Sequence, residues 1–571
     1  MADWTGHWLS IVVALPATVA LVLAISETSL TVLGLRSLPE VAWRVIGWAT
    51  AVLDFAIAFV FLGLDFDVER LGLQQVESLA GADPLGAHLA LAVDGISLVF
   101  LLSTAGLVPL AMTVSAREVK ESVRSWVFAC LVLESSLLGA LASANLLAFA
   151  FFWALGLVPI LLWMGRWGGI GRARAASRVW TTESIGLVGL LFVALAAREL
   201  GIEQLGTATL DLMPTPGRPE TLLDLEIPAG EQMLLFVVLV VALASRLPLA
   251  PLHFWLPAAH AASPAGLSVL IATGFVQIAA VGLLRFALPL FPEAATTAGP
   301  VLSLVGIGAL VYASLVALVQ KELKRLVAYA GVGHAAFALF GISTLTVQGM
   351  TGAVVQLLTH GLAAAGLFLL VGFLAARRQT TEVAAFGGLA KPMPVCAFFF
   401  GFMVLSLMGL PPLGGFVGDL FVLLGSFETR RELSLVVLVA MVVAASYLFW
   451  VHRRVFLGPV EEAANRGLID LDRVERAVLL ALTLPILWIG LYPNPLLRRV
   501  EPAVLEILFQ MDRGGDAREI PDAKGESRAV LGGAAGTAGT AGTAETAGAA
   551  GTLPMEARIA SLGADGLEAE R

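Results

Sequence analysis

The run Arg246-Leu247-Pro248-Leu249-Ala250-Pro251-Leu252-His253-Phe254-Trp255-Leu256-Pro257-Ala258-Ala259-His260 decides how this chain is read. It closes an apolar stretch, residues 232–250, that is long enough to cross a bilayer, and it breaks that stretch with prolines that cannot donate to a helical ladder. Broken backbone at membrane depth persists only where protein or a watery cavity satisfies the freed N–H and C=O groups. A second break of the same kind, Gly409-Leu410-Pro411-Pro412-Leu413-Gly414-Gly415, divides the apolar residues 394–425. Two interrupted helices in corresponding parts of two halves mark transporters built from inverted repeats.

Working outward from these breaks, apolar runs predict about fourteen spanning helices near 8–33, 42–64, 94–115, 126–143, 146–165, 180–197, 232–250, 265–290, 299–319, 326–344, 349–376, 394–425, 433–452 and 476–493. Composition agrees. Of 571 residues, 58% are hydrophobic and only 14% charged, whereas a soluble chain needs about a quarter charged residues to cover its surface. The run from Trp8 to Ile25 follows no basic segment and is read as a span rather than a cleaved signal. Loops after odd-numbered spans carry most of the lysine and arginine, from Arg117, Lys120 and Arg124 to Arg453, Arg454 and Arg466. Loops after even-numbered spans hold Arg70, Arg198, Arg218, Arg430 and Arg431. The positive-inside rule then sets both termini outside the cytoplasm, in a multi-pass protein of the cell's inner (plasma) membrane. Residues 1–93 read as spans 1–2 with an outer loop, residues 94–511 as a transmembrane core, and residues 512–571, rich in Gly, Ala and Thr, as a disordered tail.

Ionisable groups inside spans are expensive and mark function or pairing. The sequence offers Glu134 in span 4, Arg246 at the break in span 7, Arg285 in span 8, His334 in span 10, His360 in span 11 and Asp419 in span 12. Arg285, near a helix end, reads as snorkelling or paired. The two histidines serve equally as interhelical hydrogen bonders, and Asp419 as the cap of a half-helix. Glu134 falls about 12 Å into its span, where a carboxylate must find a partner or a proton. His253 and His260 flank the span 7 break without the carboxylates or thiols of a zinc site, and Cys130 and Cys396 form no ligand pattern. No metal site, phosphate loop or nucleic-acid partner is legible.

The motifs, in order, resemble those of the M-type antiporter-like subunit of respiratory complex I, the proton-translocating NADH:quinone oxidoreductase. They are Val93-Asp94-Gly95-Ile96-Ser97, Phe152-Trp153 with Val158-Pro159, the Pro248 to His260 run, Gly282-Leu283-Leu284-Arg285-Phe286, Leu323-Lys324-Arg325-Leu326-Val327-Ala328-Tyr329, Phe386-Gly387-Gly388-Leu389, Gly409-Leu410-Pro411 and Gly414-Gly415-Phe416. The resemblance spans roughly residues 90–500. It implies an all-α polytopic fold with two inverted five-helix repeats, about 126–290 and 299–452, whose helices 7 and 12 are broken. It also implies other polytopic subunits as partners and protons (or Na⁺) as cargo. This chain would bear no redox cofactor, with NADH, FMN, Fe–S clusters and quinone held by partner subunits.

Departures from the family pattern concentrate in one half. The glutamate of span 5 is Ala154, the lysine of span 7 is Arg246, the lysine of span 8 is Gln277, and two aspartates are Asn145 and Ala258. His334, His360 and a shortened span 12 acid, Asp419, are kept. Arginine does not release its proton, so Arg246 is a fixed charge. The expectation is a proton path through Glu134, Arg246, His334, His360 and Asp419, supported by Gln277, His260 and Lys324, with an impaired or rewired N-terminal half in which Glu134 stands in for the missing span 5 carboxylate. The same fold also serves Na⁺/H⁺ antiporters, membrane-bound hydrogenases, inorganic-carbon uptake complexes and non-conducting scaffolds.

Overall fold

The computed structural model describes residues 6–32, 38–79, 88–214, 219–460 and 462–512. Of the expected tail, residues 512–571, all but Asp512 lie outside the described residues, as does the loop position Arg218. Thirteen helices among the described residues are long and apolar enough to cross a membrane. The fold is that of a multi-pass helical membrane protein.

The chain opens with α1 (Trp8–Val32) and α2 (Glu40–Ile57), the latter ending in a π-helical turn, Ala58–Gly63. A two-stranded antiparallel hairpin, β1 (Gln74–Leu79) and β2 (Leu89–Val93), follows where only a loop was expected. The hairpin has a structural task. Glu77 on β1 accepts the exposed amides of Leu9 and Ser10 at 2.7 and 2.8 Å, so a carboxylate closes the positive end of α1. Next come α3 (Gly95–Glu118), α4 (Val123–Ala142), α5 (Leu146–Trp167), α6 (Arg172–Leu205) and α7 (Ala229–Arg246). Asp94 caps α3 in a reciprocal capping box with Ser97 and also pairs with Arg285 at 2.9 Å. Arg285 is therefore a paired residue.

Both expected breaks are present. After Arg246 the chain leaves the helix at Leu247–Pro251, makes one 3₁₀ turn at Leu252–Phe254 and resumes as α8 (Trp255–Ala262). The carbonyl of Ser245, freed by the break, accepts the indole N–H of Trp255 at 2.7 Å. The following span, Ala265–Leu290, is wholly buried and consists of α9 (Ala265–Leu270), α10 (Val276–Gly282) and α11 (Leu288–Leu290), joined through π-helical turns at Ile271–Phe275 and Leu283–Ala287. Then α12 (Pro292–Leu318), α13 (Leu323–Ile342) and α14 (Val347–Arg378), the last buried from Gly349 to Leu374, form the second half's core. Span 12 is divided into α15 (Pro394–Leu407) and α16 (Gly414–Thr429), each too short to cross alone. The chain continues through α17 (Arg431–Phe456) and α18 (Arg473–Leu491) to α19 (Asn494–Asp512), a short amphipathic helix that the sequence reading left inside the core segment without a helix of its own. It crosses the start of α3 at Gly95, where a Cβ would lie 1.6 Å from the Arg499 carbonyl oxygen.

Candidate functional site

In the second half, α13, α14 and α16 bring three of the expected residues together. His334 and His360 stack with ring centroids 4.2 Å apart, and Gln356 on α14 hydrogen-bonds His334 Nδ1 at 2.6 Å. Asp419 lies in the second turn of α16, past the break, and is buried rather than capping the half-helix. It shares with His334 a cavity of about 20 Å³ that Ser314, Met408 and Tyr447 also line, enough for a single water molecule. The break places the carboxylate there. Gly409 holds φ +67°, and a Cβ on it would lie 2.2 Å from Asp419 Oδ2. Small residues fix the depth of α16 against α14: a Cβ on Gly352 would lie 2.4 Å from Val422 N, and one on Gly418 would lie 2.6 Å from Gln356 Cα.

The first half is arranged differently. Arg246 donates from Nε to Glu183 Oε2 of α6 at 2.8 Å, its Nη2 lies 2.7 Å from the same oxygen in an ion pair, and both residues are at most 1% exposed. The guanidinium also lies 3.7 Å from the Trp153 ring and 4.3 Å from the Phe275 ring. The pair forms because α6 and α7 touch closely: a Cβ on Gly186 would lie 2.1 Å from Ser245 Oγ. Glu183 is one turn from that contact, and Arg246 follows Ser245. Glu183 thus supplies the carboxylate beside Arg246. Glu134 packs elsewhere, where Asp54 of α2 is the group that acts on it electrostatically. Glu183 lies within the expected span 180–197, close to its start, and only its buried position against Arg246 marks it out.

Between the halves, Gln277 Oε1 accepts from Thr104 at 3.1 Å and from Ser103 at 3.3 Å. A Cβ on Gly361, next to His360, would lie 3.7 Å from Gln277 Nε2. At one end of the bundle, Lys324 Nζ donates to the Ser263 carbonyl at 2.6 Å, and Glu118 accepts from Ala265 N at 3.2 Å. His260 stacks on Phe368 at 4.0 Å. Lys324 lies within electrostatic reach of both Glu118 and His260. The structure therefore gathers His334, His360 and Asp419 into one group, sets Gln277 beside it, keeps His260 and Lys324 at the bundle end, and leaves Arg246 and Glu134 in two separate pairs.

A family model described as "NADH:quinone oxidoreductase/Mrp antiporter, TM" matches residues 143–447, which include both helix breaks. The chain belongs to this family. Among relatives of the NADH:quinone oxidoreductase/Mrp antiporter family, "NADH-quinone oxidoreductase subunit M" of Rhodobacter capsulatus is 34% identical over 504 residues, 88% of this chain and 96% of that protein. A chain of respiratory complex I from Thermus thermophilus superposes with a TM-score of 0.76 at 29% identity, covering 88% of this chain and 99% of that one. A chain of the Mrp complex from a Dietzia species shares the fold, with a TM-score of 0.73 at 19% identity.

Proposed function

We infer that the chain is the subunit M of a proton-translocating NADH:quinone oxidoreductase in a bacterial inner membrane. Adjoining polytopic subunits would be its partners, and the redox cofactors would sit on other subunits. Near full-length similarity to the Rhodobacter capsulatus subunit supports this over the antiporter and scaffold readings. Within the chain, the C-terminal half is the conducting half. The observation that carries this is the group His334–His360–Asp419: His334 shares a one-water cavity with Asp419, and His360 stacks on His334. Imidazole and carboxyl both exchange protons under physiological conditions. The Arg246–Glu183 pair of the N-terminal half acts as a fixed dipole, because its cation does not release its proton. Glu118, Lys324 and His260 form a polar entrance on the side where the basic loops gather.

The test is proton uptake per NADH oxidised in vesicles holding the assembled complex with Asp419→Asn. Uptake should fall at least roughly tenfold, as expected when a proton-transfer group is removed, while subunit content is unchanged. Full stoichiometry in the variant overturns the C-terminal route. Recovery of the chain without redox partners overturns the complex assignment.

A further inference from the structure

Two buried carboxylates take no part in the site above. Asp54 of α2 and Glu134 of α4 are each 0% exposed. As the second and fourth spans, α2 and α4 run in the same direction. They pack closely at Gly47, where a Cβ would lie 2.4 Å from Val127 Cγ1 of α4. Seven residues beyond this contact on each helix, two turns and about 10.5 Å along the axis, stand Asp54 and Glu134. Helix register therefore carries both carboxyls to one level of one interface, and they are close enough to act on each other electrostatically.

All four carboxylate oxygens are buried without a hydrogen-bond partner among the described residues. The titratable group nearest along α4 is Cys130, one turn before Glu134 and also buried. Among the described residues of α1, α3, α4 and the π-helical turn after α2, no Lys, Arg or His acts on either carboxyl. Arg44 is committed to the carbonyls of Ala116 and Val119, and Arg124 to Glu27. Two bare anions facing each other in a buried interface are untenable, since burial and mutual repulsion both oppose ionisation. A bound positive charge resolves this. A sodium ion requires a shell of oxygen ligands, but the one-turn neighbours are Ala51, Ala58, Cys130, Leu131 and Leu138. Thr50 brings a hydroxyl, and that hydroxyl donates to the Ile46 carbonyl at 2.8 Å. The chemistry selects a proton.

We propose that Asp54 and Glu134 form an intramembrane proton-binding pair, separate from the histidine–aspartate group, that retains at least one proton at neutral pH. Loss of that proton places like charges across the contact, so proton occupancy and the packing of α2 on α4 are linked. The titration of such a pair belongs to both residues jointly.

Infrared difference spectroscopy of the purified complex in H₂O and D₂O, at rest, tests this without reference to turnover. The wild type should show a deuterium-sensitive carbonyl stretch of protonated carboxyl at neutral pH that Asp54→Asn/Glu134→Gln removes. The Asp54→Asn and Glu134→Gln single variants should each shift or weaken it. A double variant whose spectrum superposes on the wild type overturns the proposal. So does a band bleached by replacing K⁺ with Na⁺ at constant pH, which makes the pair a cation site. Should the double variant not assemble, the Glu134→Gln spectrum decides alone: an unchanged band overturns the proposal, and a shifted or diminished one supports it.

Discussion

At the scale of single residues, what separates the two halves is whether a buried cation can let go of its proton. Arg246 cannot, and its surroundings hold it still: Glu183 accepts from its Nε and pairs with its charge, while Trp153 and Phe275 flank the guanidinium. A buried ion pair adds little net stability, but removing one partner strands a charge. Arg246→Met should therefore destabilise the chain by about 3–5 kcal/mol, whereas Arg246→Met/Glu183→Leu should recover most of that loss. Thermal unfolding of the detergent-solubilised complex, compared across the two single variants and the double, measures the coupling. Additive effects would show that the two residues act independently. The arginine was legible in the sequence as a departure from a lysine; its partner was not. An acid near the predicted start of a span reads as a flanking charge, and only the Gly186–Ser245 approach turns it toward α7. Glu134 was legible as a deeply buried carboxylate, but its neighbour Asp54 lies eighty positions earlier, and no periodicity links α2 to α4.

At the scale of elements, each broken helix needs a local device that absorbs its freed polar groups. In span 7 the device is Trp255, whose indole N–H reaches back across the break to the Ser245 carbonyl. Trp255→Phe preserves the ring's bulk and removes only this bond. It should cost about 1–3 kcal/mol, the usual penalty for an orphaned buried polar group. Because Arg246 adjoins Ser245, the loss should appear in the thermal stability of the assembled complex while proton uptake through the second half stays unchanged. A variant as stable as the wild type would show that the carbonyl is satisfied by other means. Spans and breaks were legible because hydropathy and proline act locally. The hairpin of β1 and β2 and the helix α19 were not, since neither carries a bilayer-length apolar run. Each is defined by what it touches: Glu77 by the amides of α1, Arg499 by Gly95.

At the scale of the whole molecule, the two ends of the bundle differ in charge, and this asymmetry has two measurable consequences. On the basic side, Arg117 at the end of α3 donates to Asp472, the N-cap of α18, tying the last spans to the first. That hydrogen bond holds the Asp472 carboxyl below its usual range. A lowered folded-state value means the stabilisation is present above the ordinary aspartate pKa, about 3.9, and is lost as pH falls through the lower folded value. Asp472→Asn should flatten this acid limb of the melting profile and leave stability at neutral pH little changed, because the pair is exposed. The second consequence is orientation. Basic loops follow odd-numbered spans, so Arg466, after span 13, should face the cytoplasm, and Glu203, after span 6, should face outside. Both positions are exposed, and the native Cys130 and Cys396 are buried, so background labelling is low. In intact cells a membrane-impermeant maleimide should modify Glu203→Cys and spare Arg466→Cys, with both labelled after permeabilisation. The reverse pattern would invert the molecule and move the Glu118–Lys324 entrance to the other side. Labelling of both in intact cells would mean that an even number of crossings lies between them in place of the seven drawn, spans 7 to 13, and the count of fourteen would fall with it.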